Sequence, residues 1–290
     1  MILIIYLKNT KSEVVDKRNN ISTQNTNLVY FTTACNLGCT YCFEQLDNIK
    51  PKHIPIQELY KIADRVIEAE DPNLQTHFVL YGGEATLRWK EAELFMEYAH
   101  SKKNNVTFNL ITNGILFLDD EFFKNFFSNK YYNNGMLSID ISFDGDKGNV
   151  ERVYKDGGSS TEDVIMVFSK LKVYNLRWRL RYTIHKKNID TFVYDIKKLI
   201  KHFKPERVIK NVVYHELDEN DLSMLEKGFE ELKKNWDNKK DTPICDLVCD
   251  TCDGCSMTFE NYANHTPVGT SVHPKQQAKI YDTLDKLKYK

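Results

Sequence analysis

The chain has 290 residues, of which 41% are hydrophobic and 12% aromatic, and its formal net charge at pH 7 is −1. This length allows one barrel-sized domain or two ordinary domains, and the apolar content is enough for a sizeable core. The near-zero charge excludes a general electrostatic attraction to nucleic acid or to acidic membranes, so we expect neither a large nucleic acid nor a membrane as a partner.

The first segment, residues 1–26, is predicted to be an N-terminal strand and a lead-in to the main domain. Its apolar run at residues 1–7 is too short to span a bilayer and lacks the basic leader and cleavage site of a signal peptide. All seven cysteines of the chain fall into two tight clusters, a pattern more typical of metal ligands than of disulfides. We therefore expect a protein of the reducing cytoplasm.

Apolar runs alternate with helical periods through the main predicted domain, residues 27–240. The predicted strands cover residues 27–33, 77–81, 106–112, 136–143, 176–185 and 207–214. The predicted helices cover residues 56–69, 90–102, 119–128, 161–174, 189–203 and 222–236. Six β-α units in this order predict a parallel sheet with right-handed crossovers.

Several predicted strands alternate polar and apolar residues, although parallel strands covered on both faces are expected to be apolar throughout. The polar faces of the fourth and fifth strands carry Ser138, Asp140, Ser142 and Asp144, and Arg177, Arg179, Arg181, Thr183 and His185. A half-exposed sheet is one explanation, but a polar barrel interior fits better because the opposite charges can pair across it. We predict an α/β fold, a partial (β/α)6 TIM-like barrel with a small C-terminal cysteine-rich, cluster-binding extension, and with ligands at the carboxyl ends of the strands.

The first cysteine cluster, Cys35, Cys39 and Cys42, follows the first predicted strand and so lies in the first β-α loop. Thiolates this close in sequence can bind one metal centre. Three thiolates on a four-iron cluster leave one iron open to an outside ligand. A structural zinc site requires four ligands, and no histidine lies within ten residues to supply the fourth. We therefore favour an iron-sulfur cluster over zinc.

Glycine and polar residues mark the ends of the next three predicted strands. In chain order they are Gly82, Gly83 and Glu84, then Asn113, then Ser142 and Asp144. Paired glycines let the backbone approach a ligand closely, and a glutamate can accept hydrogen bonds from an ammonium group. Each motif alone is typical of a turn, but together they predict a ligand site at the mouth of the barrel.

This combination resembles the radical S-adenosylmethionine (SAM) superfamily over residues 27–215. The resemblance rests on the Gly-Gly-Glu segment at residues 82–84 and on the spacing C-x3-C-x-aromatic-C, formed here by Cys35, Cys39, Tyr41 and Cys42. It implies a [4Fe-4S] cluster on the three cysteines with SAM bound to the open iron. Reductive cleavage of SAM would then give a 5′-deoxyadenosyl radical that abstracts a substrate hydrogen. A flavodoxin- or ferredoxin-type electron donor is also implied.

The resemblance also implies a set of cofactor-binding residues: Tyr41, Gly82, Gly83, Glu84, Asn113, Ser142, Asp144 and Arg181. Glu84 and the backbone of the two glycines would hold the SAM amino group, and Tyr41 would lie near the adenine. Ser142 and Asp144 would contact the ribose or the carboxylate. Arg181 could bind an anionic group or pair with Asp140, and the sequence leaves both possibilities open. No catalytic residue is identified.

Three further basic residues have alternative interpretations. Arg152 resembles an arginine found at a similar distance after Ser-x-Asp-Gly in related enzymes, but a solvated loop charge is an equally good explanation. His185 and His215 close the fifth and sixth predicted strands and would face the substrate. A histidine at such a position is more often a hydrogen-bonding wall residue than an acid or base.

The last predicted segment, residues 241–290, would carry an auxiliary centre and a terminal helix. Its ligands would be Cys245, Cys249, Cys252 and Cys255. Four cysteines this close in sequence can supply all the protein ligands of one metal centre, and the last three have the spacing with which ferredoxins bind a cluster. We predict an auxiliary [4Fe-4S] cluster, with a structural zinc site as the alternative.

A C-terminal auxiliary cluster resembles the SPASM/Twitch group of radical SAM enzymes, although the present cysteines are more compactly spaced. This likeness implies a peptide or protein side chain as the substrate. The same chemistry on a nucleoside, nucleotide or other small metabolite is the alternative. A non-enzymatic zinc or iron-sulfur interaction module is a more remote one, because six ordered β-α units with a Gly-Gly-Glu loop argue against it.

Overall fold

The structure, a computed structural model, describes residues 25–42, 51–213 and 216–236. The strand predicted at residues 1–7, His215 and the four C-terminal cysteines lie outside these ranges. Six parallel strands form one sheet in which the spatial order follows the chain order. They are β1 (Asn25–Tyr30), β2 (Thr76–Tyr81), β3 (Val106–Thr112), β4 (Leu137–Ser142), β5 (Arg179–Ile184) and β6 (Arg207–Val212).

The connections between these strands are helical. The α-helices are α1 (Ile56–Ala69), α2 (Trp89–Lys102), α3 (Asp120–Phe127), α4 (Lys130–Asn133), α5 (Gly145–Gly148), α6 (Thr161–Val173), α7 (Phe192–Phe203) and α8 (Glu219–Trp236). Short 3-10 helices occupy Ala85–Arg88, Ile115–Leu118 and Asn149–Glu151. Within the described residues β1 and β6 do not pair with each other, so the sheet stays open. The predicted partial (β/α)6 barrel is confirmed.

The outward face of the sheet packs against the helices and forms the hydrophobic core. Ile141 and Leu180 are fully buried on this face. Phe168 of α6 stacks on Trp178 just before β5, with ring centroids 4.5 Å apart. Full burial of a side chain such as Ile, Leu or Phe stabilises the fold by about 1.5–3 kcal/mol. None of the helices in the described ranges has the length and apolar character needed to cross a membrane.

The inward face of the sheet is polar, and its centre is an ion-pair network around Asp140. This carboxylate accepts hydrogen bonds from Arg179 Nε at 2.6 Å, Arg181 Nη2 at 2.8 Å and Asn109 Nδ2 at 3.0 Å. Burial alone would raise the pKa of Asp140, but the two guanidinium groups and the amide hold it below its ordinary value. The alternation of polar and apolar residues along the strands therefore reflects a polar interior, in which opposite charges pair across neighbouring strands.

All six strands run the same way, so their carboxyl ends meet at one edge of the sheet, called the rim below. The loop after β1, residues 31–42, is the cysteine loop and lies at this rim. The segments after β2, β3 and β4 begin at the same rim. A ligand site built from these four connections is therefore local in space although it spans more than a hundred residues of the chain.

Candidate active site

The cysteine loop carries three free thiols. Cys39 is buried, and Cys35 and Cys42 are half-buried. Burial raises the pKa of the Cys35 thiol to about 12, and the negative charge of Glu84 and of the other two cysteines adds to this effect. Burial also raises the pKa of Cys39 to about 11. A cationic centre would relieve the cost of ionising these thiols, because metal ligands bind as thiolates.

The donor set of the cysteine loop fits one kind of metal centre better than the other. Three thiols in one loop are ligands of the kind that hold an iron-sulfur cluster. A structural zinc site takes four protein ligands, and the loop supplies three cysteines. The donor set of the cysteine loop thus fits an iron-sulfur cluster.

The Gly-Gly-Glu segment holds one side of the cysteine loop. Gly83 N donates to Thr32 O and Glu84 N to Ala34 O, each at 2.8 Å. A Cβ atom on Gly82 would lie 2.3 Å from Thr32 O, and one on Gly83 would lie 2.4 Å from Ala34 O. Both glycines are therefore required by close contact with another stretch of backbone. An ammonium group, which is itself a donor, would have to bind to their carbonyl oxygens.

The end of the third 3-10 helix and the residues that follow it hold the other side of the cysteine loop. Gly38 N donates to Val153 O at 2.7 Å, and Thr40 N donates to Glu151 O at 2.9 Å. These two bonds bracket Arg152, whose side chain turns towards the cysteine loop. The loop is thus held from both sides by backbone hydrogen bonds to segments distant in sequence.

Glu84 connects the end of β2 to the end of β3. Its Oε1 accepts hydrogen bonds from Thr112 Oγ1 at 2.8 Å and from Thr86 Oγ1 at 2.5 Å, and its Oε2 accepts one from Asn113 N at 2.8 Å. The residue is buried, and the hydrogen-bond partners of its carboxylate within the described ranges are uncharged groups of Thr86, Thr112 and Asn113. Oε2 retains one lone pair, so an ammonium group would find both an acceptor and an opposite charge here.

Asn113 contacts a predicted cluster ligand directly. Its Nδ2 donates to Asn36 Oδ1 at 2.7 Å and lies 3.7 Å from Cys35 Sγ, and Leu37 N lies 3.4 Å from the same sulfur. The Oδ1 atom of Asn113 accepts a hydrogen bond from Ile115 N at 3.0 Å, which fixes the orientation of the side-chain amide. Asn36 was not among the predicted site residues, and only its position beside Cys35 could have indicated it.

Tyr41 and Asp144 bind each other. The Tyr41 hydroxyl donates to Asp144 Oδ2 at 2.5 Å, and Arg152 Nη1 donates to the Tyr41 oxygen at 2.7 Å. Asp144 Oδ1 accepts from Thr183 N at 3.2 Å, so both carboxylate oxygens already have protein partners. Burial is the main reason that the pKa of Tyr41 lies well above its ordinary value. Arg152 is 8% exposed, so its interpretation as a solvated loop charge is wrong.

His185, at the end of β5, completes this buried cluster. Its ring lies 5.5 Å from the Tyr41 ring between centroids, and its Nε2 is 3.9 Å from Asp144 Oδ2. Nδ1 accepts a hydrogen bond from Lys187 N at 3.3 Å. Nε2 is buried without a hydrogen-bond partner among the described residues. The residue is a wall of the site, as its position at a strand end predicts.

Arg181 lies inside the barrel. Besides Asp140, it bonds through Nη1 to Asn211 Oδ1 at 3.2 Å. Arg177 bonds elsewhere, with its Nη2 donating to Tyr132 O at 2.8 Å. Of the two possibilities that the sequence leaves open for Arg181, the structure shows the pairing with Asp140. A role of this guanidinium in cofactor binding stays a prediction.

The structure brings most of the predicted cofactor-binding residues together at the rim. These are Tyr41, Gly82, Gly83, Glu84, Asn113, Ser142 and Asp144. Ser142 is buried at the end of β4, opposite Arg181 in the sheet register. The contacts of these residues with SAM stay predictions. So does the auxiliary centre on Cys245, Cys249, Cys252 and Cys255, because these residues lie outside the described ranges.

Comparison with known proteins agrees with this geometry. The family model of the radical SAM superfamily matches residues 29–199. The solved structure of anSMEcpe with bound AdoMet and Cp18Cys peptide is similar, with 21% identity, a TM-score of 0.59, and coverage of 76% of this chain and 63% of that chain. SuiB from Streptococcus suis bound to S-adenosylmethionine is also similar, with 16% identity, a TM-score of 0.52, and coverage of 76% and 50%. A search of curated proteins found no match.

The chain spans less than two thirds of the length of these structural neighbours. At this level of identity they show the fold, and the family model supplies the assignment. Radical SAM enzymes use a [4Fe-4S] cluster and SAM. Because the family model matches more than half of the chain, we conclude that this protein is an enzyme of the radical SAM superfamily.

Proposed function

We propose that the enzyme modifies a peptide or protein side chain. Bound at the cysteine loop, the [4Fe-4S] cluster and SAM would supply reductive cleavage of SAM and hydrogen abstraction from the substrate. The observation that carries this proposal is the placement of three free thiols beside the buried carboxylate of Glu84 at one rim. The peptide class is supported by the likeness to anSMEcpe, which was solved with a bound peptide.

In this proposal each part of the rim has a separate task. Cys35, Cys39 and Cys42 hold the cluster, and Oε2 of Glu84 accepts a hydrogen bond from the amino group of SAM. Tyr41 forms the wall beside the cluster, held in place by Asp144. A flavodoxin- or ferredoxin-type protein supplies the electron. The open edges of the sheet would leave room for an extended substrate at the rim.

The first test measures SAM cleavage. The protein is reconstituted with iron and sulfide without oxygen, then incubated with SAM and dithionite, and 5′-deoxyadenosine is quantified by mass spectrometry. We expect Cys39→Ala to lower its release by more than the roughly 10–100-fold typical of losing an outer-shell partner of a metal. Thr40→Ala is the matched control, since this neighbouring side chain is exposed and its backbone bond is retained. Equal release by Cys39→Ala and wild type would contradict the cluster assignment.

The second test counts metals. Two clusters would give about eight irons per chain, and Cys249→Ser with Cys252→Ser would lower this to about four. A zinc site in the C-terminal segment would instead give about four irons with one zinc in the wild type. Iron and zinc are measured together by plasma mass spectrometry. An iron content that does not change in the double variant would contradict an auxiliary iron-sulfur cluster.

The substrate class needs its own experiment. Peptides encoded by short reading frames beside the gene are synthesised with deuterium at their side-chain carbons and incubated with the enzyme and SAM. Deuterium in the released 5′-deoxyadenosine would identify a peptide substrate. Deuterium from labelled nucleosides, without any from the peptides, would favour the small-molecule alternative.

A further inference from the structure

Arg152 is a buried cation next to the cysteine loop. Gly38 N and Thr40 N bond to the carbonyl oxygens of its two chain neighbours, so its backbone runs alongside the loop. Ser160 Oγ donates to Arg152 O at 2.5 Å, which anchors the segment from its other side. Arg152 is 8% exposed. An arginine this buried is costly unless nearby negative charge offsets it.

Two negative or electron-rich groups face this guanidinium from the described residues. Nη1 donates to the Tyr41 hydroxyl at 2.7 Å and lies 3.9 Å from Asp144 Oδ2. Since one bond goes to a neutral phenol and the carboxylate is beyond hydrogen-bond distance, Asp144 neutralises the charge only in part. Arg152 Nε is buried with no hydrogen-bond partner in the described ranges. Part of the positive charge is therefore available to a third group.

Cys39 is that third group. Cys39 lies between Gly38 and Thr40, whose amides bond to the carbonyl oxygens of the two chain neighbours of Arg152. Arg152 Nη1 also donates to the hydroxyl of Tyr41, two residues further along the loop. The buried guanidinium therefore lies against the part of the loop that carries this sulfur. A positive field at this sulfur favours whichever state of a bound group has more negative charge. For an iron-sulfur cluster that state is the reduced one, and surrounding charge is one of the factors that set its potential.

We propose that Arg152 is a positioning residue for the SAM-binding cluster: its charge raises the reduction potential of that cluster, and its bond to Tyr41 holds the cysteine loop in place. This inference rests on the proposed cluster at Cys35, Cys39 and Cys42. If it is correct, the potential at which the cluster accepts its electron depends on a residue that binds no iron. The segment that carries Arg152 therefore tunes the reaction as well as supporting the loop.

The test compares Arg152→Met with Arg152→Lys in the reconstituted full chain. The reduced form of the cluster that responds to SAM is followed by electron paramagnetic resonance during a redox titration. At a fixed potential we expect Arg152→Met to lower the ratio of reduced to oxidised cluster roughly tenfold, which corresponds to about 59 mV for a one-electron couple. Arg152→Lys keeps the charge and should lower the ratio much less.

Lys155→Met is the matched control, because it removes an exposed positive charge from the same segment. We expect its titration to overlay that of the wild type. If Arg152→Met does not fold, Arg152→Gln gives the same test, since it removes the charge and keeps an amide donor for the Tyr41 oxygen. A loaded Arg152→Met with an unchanged potential, or an equal shift in Lys155→Met, would overturn the role of Arg152 alone. A wild type without iron on the cysteine loop would overturn this role together with the proposed function.

Discussion

Gly82 and Gly83 have no room for a side chain because the backbone of the cysteine loop passes within contact distance of both. The sequence predicts that the backbone of this pair approaches a ligand closely, and that stays a prediction. The group that the structure shows against both glycines is the loop at Thr32 and Ala34. Spacing alone cannot reveal this contact, because the two segments are about fifty residues apart. The burial of Arg152 was hidden for the same reason, since its partners come from the loop after β1 and from the end of β4.

A substitution at Gly83 tests this contact. Gly83→Ala adds a Cβ atom 2.4 Å from Ala34 O, which must displace one of the two backbones. Overpacking of this kind costs about 1–3 kcal/mol, so we expect a lower free energy of unfolding in chemical denaturation of the iron-free protein. Since the displaced segment carries the cysteines, we also expect less bound iron after reconstitution.

Gly157→Ala is the control for this prediction. Gly157 has a positive φ of +89°, but a Cβ atom added there would have no neighbouring atom within 4 Å, so the change strains the backbone without a clash. We expect iron binding to match the wild type. A similar loss of iron in both variants would mean that backbone strain, and not contact with the cysteine loop, explains the effect.

At the level of elements, the sequence predicts every strand of the described sheet, and the errors fall at the ends. The fifth strand is predicted from residue 176 but begins at Arg179, because Arg177 N donates to the Tyr132 hydroxyl instead of to a strand. The helix predicted from residue 189 begins at Phe192. There the Asn188 side chain bonds back to Thr183 O at 2.8 Å, which keeps the preceding turn out of the helix. Hydrogen bonds between side chains and distant backbone groups determine where this strand and this helix begin. Hydrophobic periodicity gives no signal of such bonds.

The ion-pair network inside the barrel gives a stability prediction at this scale. Asp140→Asn would leave Arg179 and Arg181 without their shared carboxylate, and breaking a buried pair in this way costs about 3–5 kcal/mol. The folded-state pKa of Asp140 lies below the unfolded value of about 3.9, so the pair stabilises the fold above that pH. This contribution is lost as the pH falls through the folded-state pKa.

Denaturant unfolding of the iron-free protein at a series of pH values tests this prediction. The difference in the free energy of unfolding between wild type and Asp140→Asn should be largest at pH 7 and should become smaller below about pH 4. Asp120→Asn is the control, because its ion pair with Lys170 is at the surface and should contribute little. If this difference in the free energy of unfolding does not depend on pH, the ion pair is not the cause of the difference.

At the level of the whole molecule, the site depends on the strand order. The cysteine loop after β1 is held by the segment after β2 on one side and by the segment beyond β4 on the other. The sequence predicts the parallel order and the rim, because both follow from alternating periodicity and from right-handed crossovers. It does not predict which loops contact each other, because those contacts depend on the curvature of the finished sheet.

The backbone bonds on both sides of the cysteine loop have a consequence for how its sequence can vary. All four are made between main-chain groups, so they place no demand on the side chains of the loop. Surface positions of the loop can therefore differ between relatives of this enzyme while the path of the chain, and with it the position of the three cysteines, stays the same.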